Sequence, residues 1–472
     1  MLFERRFKEA DALAVATGTR DRHSARLEEL IAKQEATFLA RQGRSAELDR
    51  SARGSLAGGV TSNWQIARPQ PIWISHGAGS RIVDADGLEL VDLHGGYGVG
   101  VVGHAHPKIV EAVSARVRQG THFAQPTEDA IAVSRELARR WELPLWRFSN
   151  SGTEATMDVV HLMRAATGRD LIVKVEGTYH GHHDSVMVSV MNEDPAELGP
   201  PGRPNNPTFG AGIPRAVADL TVIVPFNDLE ATERIFDEHR DRIAGMIVEP
   251  IMMNAGIIAP DSDYLEGLRD LTRRRGILLG YDEVKTGLSV GPGGATRRFG
   301  VAPDLVSLAK ALGGGIPCGA IGGTEEVMRL IAEGIYDQVG TFNGNPLTMA
   351  AARATLCDIL DDDAYRHLER LQDRMVSGTT RIIDDTGLDA YAQGFTAKGS
   401  VTFSATRVRN YRDFLRVDDR FSHCHWLFQH NGGVFLPPWG KAEQWTISVQ
   451  HTDADIDLFL ANFEAFARAL KG

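Results

Sequence analysis

The segment Leu308-Ala309-Lys310-Ala311-Leu312-Gly313-Gly314-Gly315-Ile316-Pro317 places one lysine at the end of an apolar run, just before three glycines. Burying an ammonium is costly, so burial lowers its pKa and leaves a nucleophilic amine. Such an amine forms a Schiff base with an aldehyde cofactor. Upstream, Ile277-Leu278-Leu279-Gly280-Tyr281-Asp282-Glu283-Val284 is a second apolar run that ends on carboxylates. A lysine to hold an aldehyde and an acid to hold a pyridinium nitrogen are the two groups that pyridoxal phosphate requires.

Other segments add chemistry of the same kind. Arg147-Phe148-Ser149-Asn150-Ser151-Gly152-Thr153-Glu154-Ala155 reads as strand, polar turn and helix start. Ser151, Gly152 and Thr153 would then offer backbone N–H groups and hydroxyls to a phosphate at a helix N-terminus. The same residues also read as an ordinary Ser/Thr cap with Glu154 in the first turn. In Glu176-Gly177-Thr178-Tyr179-His180-Gly181-His182-His183-Asp184, three histidines lack a second ligand group at a recognised zinc spacing, so no metal is expected. Tyr179 is instead placed to lie against an aromatic ring. Val248-Glu249-Pro250 closes another apolar run, and Asn254 follows it. Gly340-Thr341-Phe342-Asn343-Gly344-Asn345-Pro346 supplies a further polar turn.

The elements that must position these groups follow from patterning. Residues 1–57 are charged and alanine-rich, with Leu27, Leu30, Ile31, Phe38 and Leu39 at helical spacing. They predict a helical arm packed on the body or on a partner subunit. Residues 58–106 begin with a loop, followed by a hairpin predicted from Ile72–Ile74, Arg81–Val83 and Leu90–Leu93 around an Asp-Gly turn. Residues 107–345 alternate helical and short apolar segments. Seven of the latter, Trp146–Phe148, Leu171–Val175, Val222–Val224, Met246–Val248, Ile277–Tyr281, Leu305–Leu308 and Gly319–Gly322, are continuous apolar runs. That pattern predicts strands buried on both faces, hence an α/β domain with a mainly parallel sheet. Residues 346–472 read as a smaller α+β domain, with strands at Ser400–Phe403 and Trp445–Val449 and a final amphipathic helix.

The chain has 472 residues, 43% of them hydrophobic and 24% charged, with a formal charge of −11. The acidic balance argues against nucleic-acid binding. Three widely spaced cysteines, Cys318, Cys357 and Cys424, fit a reducing compartment without a disulfide framework. No apolar leader or membrane span is legible, so the expected location is cytoplasmic.

Taken together, Gly103-His104-Ala105-His106-Pro107, Asn150–Ala155, Tyr179-His180-Gly181-His182, Val248-Glu249-Pro250, Asp282-Glu283-Val284 with Thr286-Gly287, Lys310 with its glycines, and Gly340-Thr341 with Gly344-Asn345-Pro346 resemble the class III, fold-type I pyridoxal-phosphate aminotransferases. The glutamate-1-semialdehyde aminomutase-like branch is the nearest in pattern. The resemblance implies a large domain with a seven-stranded sheet and a small domain built from both chain ends. It implies that Lys310 is the Schiff-base lysine and proton shuttle, that Asp282 pairs with the pyridinium nitrogen, and that Val284 and Tyr179 cover the two ring faces. Ser151, Gly152 and Thr153 would bind the phosphate, and Asn254 the phenolic oxygen, with His180 and Glu249 in support. Thr341 would reach the phosphate in a neighbouring subunit, since the family's active sites lie at a homodimer interface. The implied reaction is ping-pong transfer of an amino group from an amine or amino acid to a keto acid or aldehyde. The aminomutase reaction and a racemase or epimerase reaction use the same lysine and ring and stay open, and a scaffold without turnover is disfavoured by the intact Lys310, Asp282 and Tyr179.

Substrate residues are expected in Ser62–Arg68, His94–Gly98 and Leu436–Lys441. The first loop reads Ser62-Asn63-Trp64-Gln65, where relatives that act on β-amino acids carry an arginine. Arg68 and Lys441 are the candidate carboxylate anchors. Trp64, Tyr97 and Trp439 are candidates for an aromatic pocket.

Overall fold

The structure is a computed structural model that describes residues 22–438 and 441–471. Its centre is a seven-stranded sheet made of β4 (Leu145–Ser149), β5 (Leu171–Val175), β6 (Thr221–Val224), β7 (Ile243–Val248), β8 (Leu278–Asp282), β9 (Leu305–Leu308) and β10 (Gly319–Gly323). The strand order is β4-β10-β9-β8-β7-β5-β6. The run β9-β8-β7-β5-β6 is parallel, and β10 is antiparallel to both its neighbours. Each apolar run predicted from the sequence lies in one of these strands, except that Ile277 precedes β8 by one residue. β5 and β7 are buried along their whole length, as strands covered by helices on both faces must be.

Parallel strands point their C-terminal ends the same way, and ligands of open α/β sheets bind beyond those ends. Here Tyr179 follows β5, Glu249 follows β7, Asp282 ends β8 and Lys310 follows β9. Four residues far apart in sequence are thereby brought to one edge of the sheet.

Two smaller sheets flank this body. One has the order β1-β2-β3-β13, from β1 (Ile74–Ala78), β2 (Arg81–Asp84), β3 (Glu89–Asp92) and β13 (Val434–Phe435). The other is β11 (Tyr391–Phe395), β12 (Lys398–Thr402) and β14 (Ala442–Thr446), in the order β11-β12-β14. The hairpin strand predicted at Ile72–Ile74 starts later, at Ile74. The Trp73 N–H donates to Ser45 Oγ at 3.4 Å, so this stretch is tied to the N-terminal arm before it reaches its strand partner. The strand predicted at Trp445–Val449 ends at Thr446; beyond it Ile447 donates to the Ala397 carbonyl at 2.7 Å and Val449 to the Val101 carbonyl at 2.9 Å.

The N-terminal arm forms helices Arg22–Arg41 and Gly43–Ala52; residues 1–21 lie outside the described residues. Leu27, Leu30 and Phe38 are buried, whereas Leu39, predicted on the same stripe, is exposed. Phe38 packs against Trp426 (5.5 Å between ring centroids) and His430 (4.8 Å) on the helix Asp419–Asn431. The arm therefore covers the chain's own body. Phe38→Ala should cost about 3–5 kcal/mol, the usual range for a buried phenylalanine, read as a lower midpoint in denaturant. An unchanged midpoint would mean that the arm adds nothing to stability.

Candidate active site

Beyond the strand ends lies a cavity of about 450 Å³. Asp282 ends β8 and is 5% exposed. Its Oδ2 accepts from His180 Nδ1 at 2.8 Å and its Oδ1 from the Val284 N–H at 3.0 Å. The neighbouring Glu283 holds that strand end still. It is fully buried and accepts from Trp141 Nε1, the Ala295 N–H, and both the N–H and the hydroxyl of Thr296. Burial raises the Glu283 pKa, and these donors offset part of the rise. Gly294 makes the arrangement possible: its φ is +60°, and a Cβ there would stand 2.1 Å from Glu283 Oε2.

Lys310 opens a single helical turn after β9, with φ of 47°. A left-handed lysine carries backbone strain of about 1 kcal/mol or more, and such strain gathers at functional sites. Burial pulls the Lys310 ammonium below its ordinary pKa, opposed by Asp282 and Glu249. Among the described residues it has no ion-pair or hydrogen-bond partner.

The helix Gly152–Thr167 begins at the cavity wall. Ser151 is its N-cap: Ser151 Oγ accepts from the Glu154 N–H at 3.2 Å, and Glu154 Oε2 accepts from the Asn150 N–H at 2.7 Å. This reciprocal cap occupies the Ser151 hydroxyl. The N–H groups of Gly152 and Thr153, at the start of the helix, have no acceptor within it. Thr153 Oγ1 accepts from the His182 N–H at 3.0 Å, which leaves its own proton to donate. A Cβ on Gly152 would stand 2.9 Å from Val284 Cγ1. Only glycine lets the helix start approach the loop after β8 so closely.

Glu249 is a brace. Its Oε1 accepts from the Tyr179 N–H at 3.3 Å and from Asn254 Nδ2 at 3.0 Å, and its Oε2 from the Met253 N–H at 2.7 Å. Asn254 Nδ2 also donates to the Tyr179 carbonyl at 3.4 Å. Both amide donors of Asn254 are thus engaged, and the expected bond to a phenolic oxygen requires one of them to be released. Burial raises the Tyr179 pKa, partly offset by a hydrogen bond with the Trp64 side chain. Trp64 meets Tyr179 edge-on at 5.4 Å, and the Tyr97 hydroxyl donates to the Trp64 carbonyl at 2.6 Å. These three rings form one aromatic wall of the cavity. Among the histidines, His180 is buried against Asp282, His182 is exposed, and His183 Nε2 lies 3.4 Å from Thr156 Oγ1, so the three do not converge.

Neither candidate carboxylate anchor is available at the cavity. Arg68 does not line the cavity. Lys441 does, but its ammonium already donates to the carbonyls of Leu415 (3.0 Å) and Val417 (3.2 Å). Thr341 is exposed and does not line the cavity of its own chain. Trp439 lies outside the described residues.

Residues 65–389 match the family model of the class-III aminotransferases. The chain belongs to this family. Over 90% of its length it is 39% identical to the whole of a glutamate-1-semialdehyde 2,1-aminomutase from Desulfatibacillum aliphaticivorans. Its fold is similar to that of an omega-transaminase from Sphaerobacter thermophilus, with a TM-score of 0.87 and 33% identity over 92% of this chain and 99% of that one. It is also similar to a glutamate-1-semialdehyde aminomutase from Pseudomonas aeruginosa solved with PMP, with a TM-score of 0.86 and 29% identity over 94% and 99% of the two chains. This class-III aminotransferase is therefore a pyridoxal-phosphate-dependent enzyme with the fold-type I architecture.

The cavity of this aminotransferase suits that cofactor. A helix start with free N–H groups suits its phosphate, a buried carboxylate its ring nitrogen, and an unpartnered lysine its aldehyde. Sequence reading missed two lysines of the cavity, Lys285 and Lys398. Lys285 directly follows Asp282-Glu283-Val284. Lys398 stands in Phe395-Thr396-Ala397-Lys398-Gly399-Ser400-Val401, a lysine with no acid beside it in an otherwise uncharged stretch, and that isolation was the available signal.

Proposed function

We propose that this enzyme is a homodimeric aminotransferase that takes an amino group from an amine or amino acid and gives it to a keto acid or aldehyde in a ping-pong sequence. The observation that carries the reading is the meeting of Lys310, Asp282 and the Gly152 helix start in one cavity. Pyridoxal phosphate supplies the aldehyde that takes the amino group and a protonated ring that accepts electron density.

The chain's own residues do the rest. Gly152 and Thr153 hold the phosphate through N–H groups and the Thr153 hydroxyl, with Ser151 fixing the helix start. Asp282 holds a proton at the ring nitrogen, and His180 Nδ1 orients its carboxyl group. Val284 and Tyr179 confine the two ring faces, and Glu249 with Asn254 fixes the Tyr179 loop. Lys310 Nζ, whose pKa burial lowers, would take the proton from the donor's Cα and deliver it across the transferred nitrogen to the carbon that had carried the cofactor's aldehyde oxygen. Trp64 and Tyr97 limit water at the mouth and shape the donor pocket.

Thr341 serves the phosphate in a second copy of the chain. Exposed Ile335, Val339 and Phe342 surround it in sequence, and such an apolar patch favours a subunit interface. The large unit at 107–345, the small unit from 58–106 and 346–472, and the arm at 1–57 form the proposed domain division. Among the described residues no helix is long and apolar enough to cross a membrane, and we place the enzyme in the cytoplasm.

The test is a donor screen without acceptor, in which the carbonyl product is assayed by mass. One equivalent per subunit supports the reading, and its absence with every donor contradicts it. An isomerised donor would favour the aminomutase reaction, a reading that rests on the 39% identity to such an enzyme. Gly152→Ala provides a second check. The added methyl overpacks Val284 by about 1–3 kcal/mol, so cofactor retention in dialysis should fall roughly tenfold or more. Unchanged retention would separate Gly152 from cofactor binding.

A further inference from the structure

Lys398 on β12 faces Thr446 on β14 and is 1% exposed, yet it lines the active-site cavity. Its Nζ donates to Thr446 Oγ1 at 2.9 Å. An ammonium has three N–H donors, so two stay unused. Among the described residues Lys398 meets no carboxylate, and the charges it feels most are the ammonium groups of Lys285 and Lys310.

Lys285 lines the same cavity, and its Nζ has one acceptor, the Met253 carbonyl at 3.3 Å. The acids nearby are already engaged. Asp282 accepts from His180 and Val284, and Glu249 from Tyr179, Asn254 and Met253. With Lys310 assigned to the cofactor aldehyde, two buried amines remain directed at one space: Lys285 feels Glu249 and Asp282, but Lys398 feels no carboxylate, and burial disfavours its charged form until an anion arrives. A buried unpaired charge is unfavourable, and a ligand that completes the pair is bound for that reason. The cofactor phosphate does not complete it, because that group is held on another element, the helix start at Gly152. Arg68 is absent from the cavity lining, and Lys441 is committed to two carbonyls.

We infer that Lys398, assisted by Lys285, is the anchor for a carboxylate on the amine donor. The inference rests on the transaminase reading and deepens it: the donor is an amino acid whose organic portion lies along the Trp64–Tyr97 wall.

The test uses the cofactor-loaded enzyme and an unreactive probe. Binding of phenylpropionate and of phenylpropanol is measured by calorimetry in the wild type and in Lys398→Met. The wild type should bind the acid at least tenfold tighter than the alcohol, and Lys398→Met should remove most of that preference. Equal binding of acid and alcohol by the wild type, or a preference that survives in Lys398→Met, overturns the inference. Should Lys398→Met not fold, Lys285→Met must reduce the preference at least threefold, and no reduction overturns the assistance of Lys285 and the shared site with it.

A kinetic arm separates this inference from the reading beneath it. Amino acids are each paired with the decarboxylated amine in the half-reaction. Preference for the acids, lowered tenfold by Lys398→Met, supports the anchor. Reaction with amines and amino acids alike keeps the transaminase and removes the anchor. Selective binding of phenylpropionate with no half-reaction from any donor keeps the anchor and removes the transaminase.

Discussion

Lys310→Ala is expected to lower turnover by about ten-thousand-fold or more, the upper range for loss of a general base, and to leave the fold intact. Lys310 is unpartnered among the described residues and sits in a strained left-handed conformation. Its removal therefore breaks no ion pair, and alanine carries the same backbone strain as lysine, so the thermal midpoint of the cofactor-free protein should not fall. Two measurements check this. Borohydride should fix cofactor to the wild type on the peptide that contains Lys310, and fix none to the variant. Covalent capture that persists in Lys310→Ala would move the role to another amine of the cavity, Lys285 or Lys398.

Asp282→Asn tests the other end of the ring. The carboxylate is the anion that keeps a proton on the ring nitrogen, and that charge matters most as electron density moves into the ring. Asparagine can still accept from the Val284 N–H through its carbonyl oxygen, and its amide can donate to His180 Nδ1 in the other imidazole tautomer, so the local structure should persist. It carries no charge, and its amide offers a donor where an anion is needed. The half-reaction should slow by about a hundred- to thousand-fold, on the scale of losing one preorganised electrostatic contact. Borohydride capture on Lys310 should remain. A rate within a few-fold of the wild type would contradict the pyridinium role of Asp282.

The large sheet was legible because its strands are buried on both faces, and double burial writes itself as unbroken apolar runs such as Leu171–Val175. The residues at the strand ends were legible for a related reason: a charged or polar residue that closes such a run has few places to go except the common edge. The small sheets were less so. β11 is half-buried throughout and includes Gly394, and β13 has two residues, so neither leaves a pattern. Substrate residues were the least legible. Arg68 and Lys441 were reasonable anchors by charge and position, but the backbone carbonyls of Leu415 and Val417 that engage Lys441 leave no sequence signal. Lys398 reaches the cavity only because β12 and β14 pair in a register that sets Lys398 opposite Thr446.

The central claim is that this cavity moves an amino group from donor to cofactor, with Lys310 as the base. It is tested most directly by one single-turnover experiment. Enzyme loaded with pyridoxal phosphate is mixed with nitrogen-labelled amino acid and no acceptor, and the cofactor is then released and weighed by mass spectrometry. The predicted result is one labelled nitrogen on the cofactor per active site in the wild type and none in Lys310→Ala. A cofactor that never gains the label from any donor, while the donor is recovered unchanged or merely inverted at Cα, would contradict it.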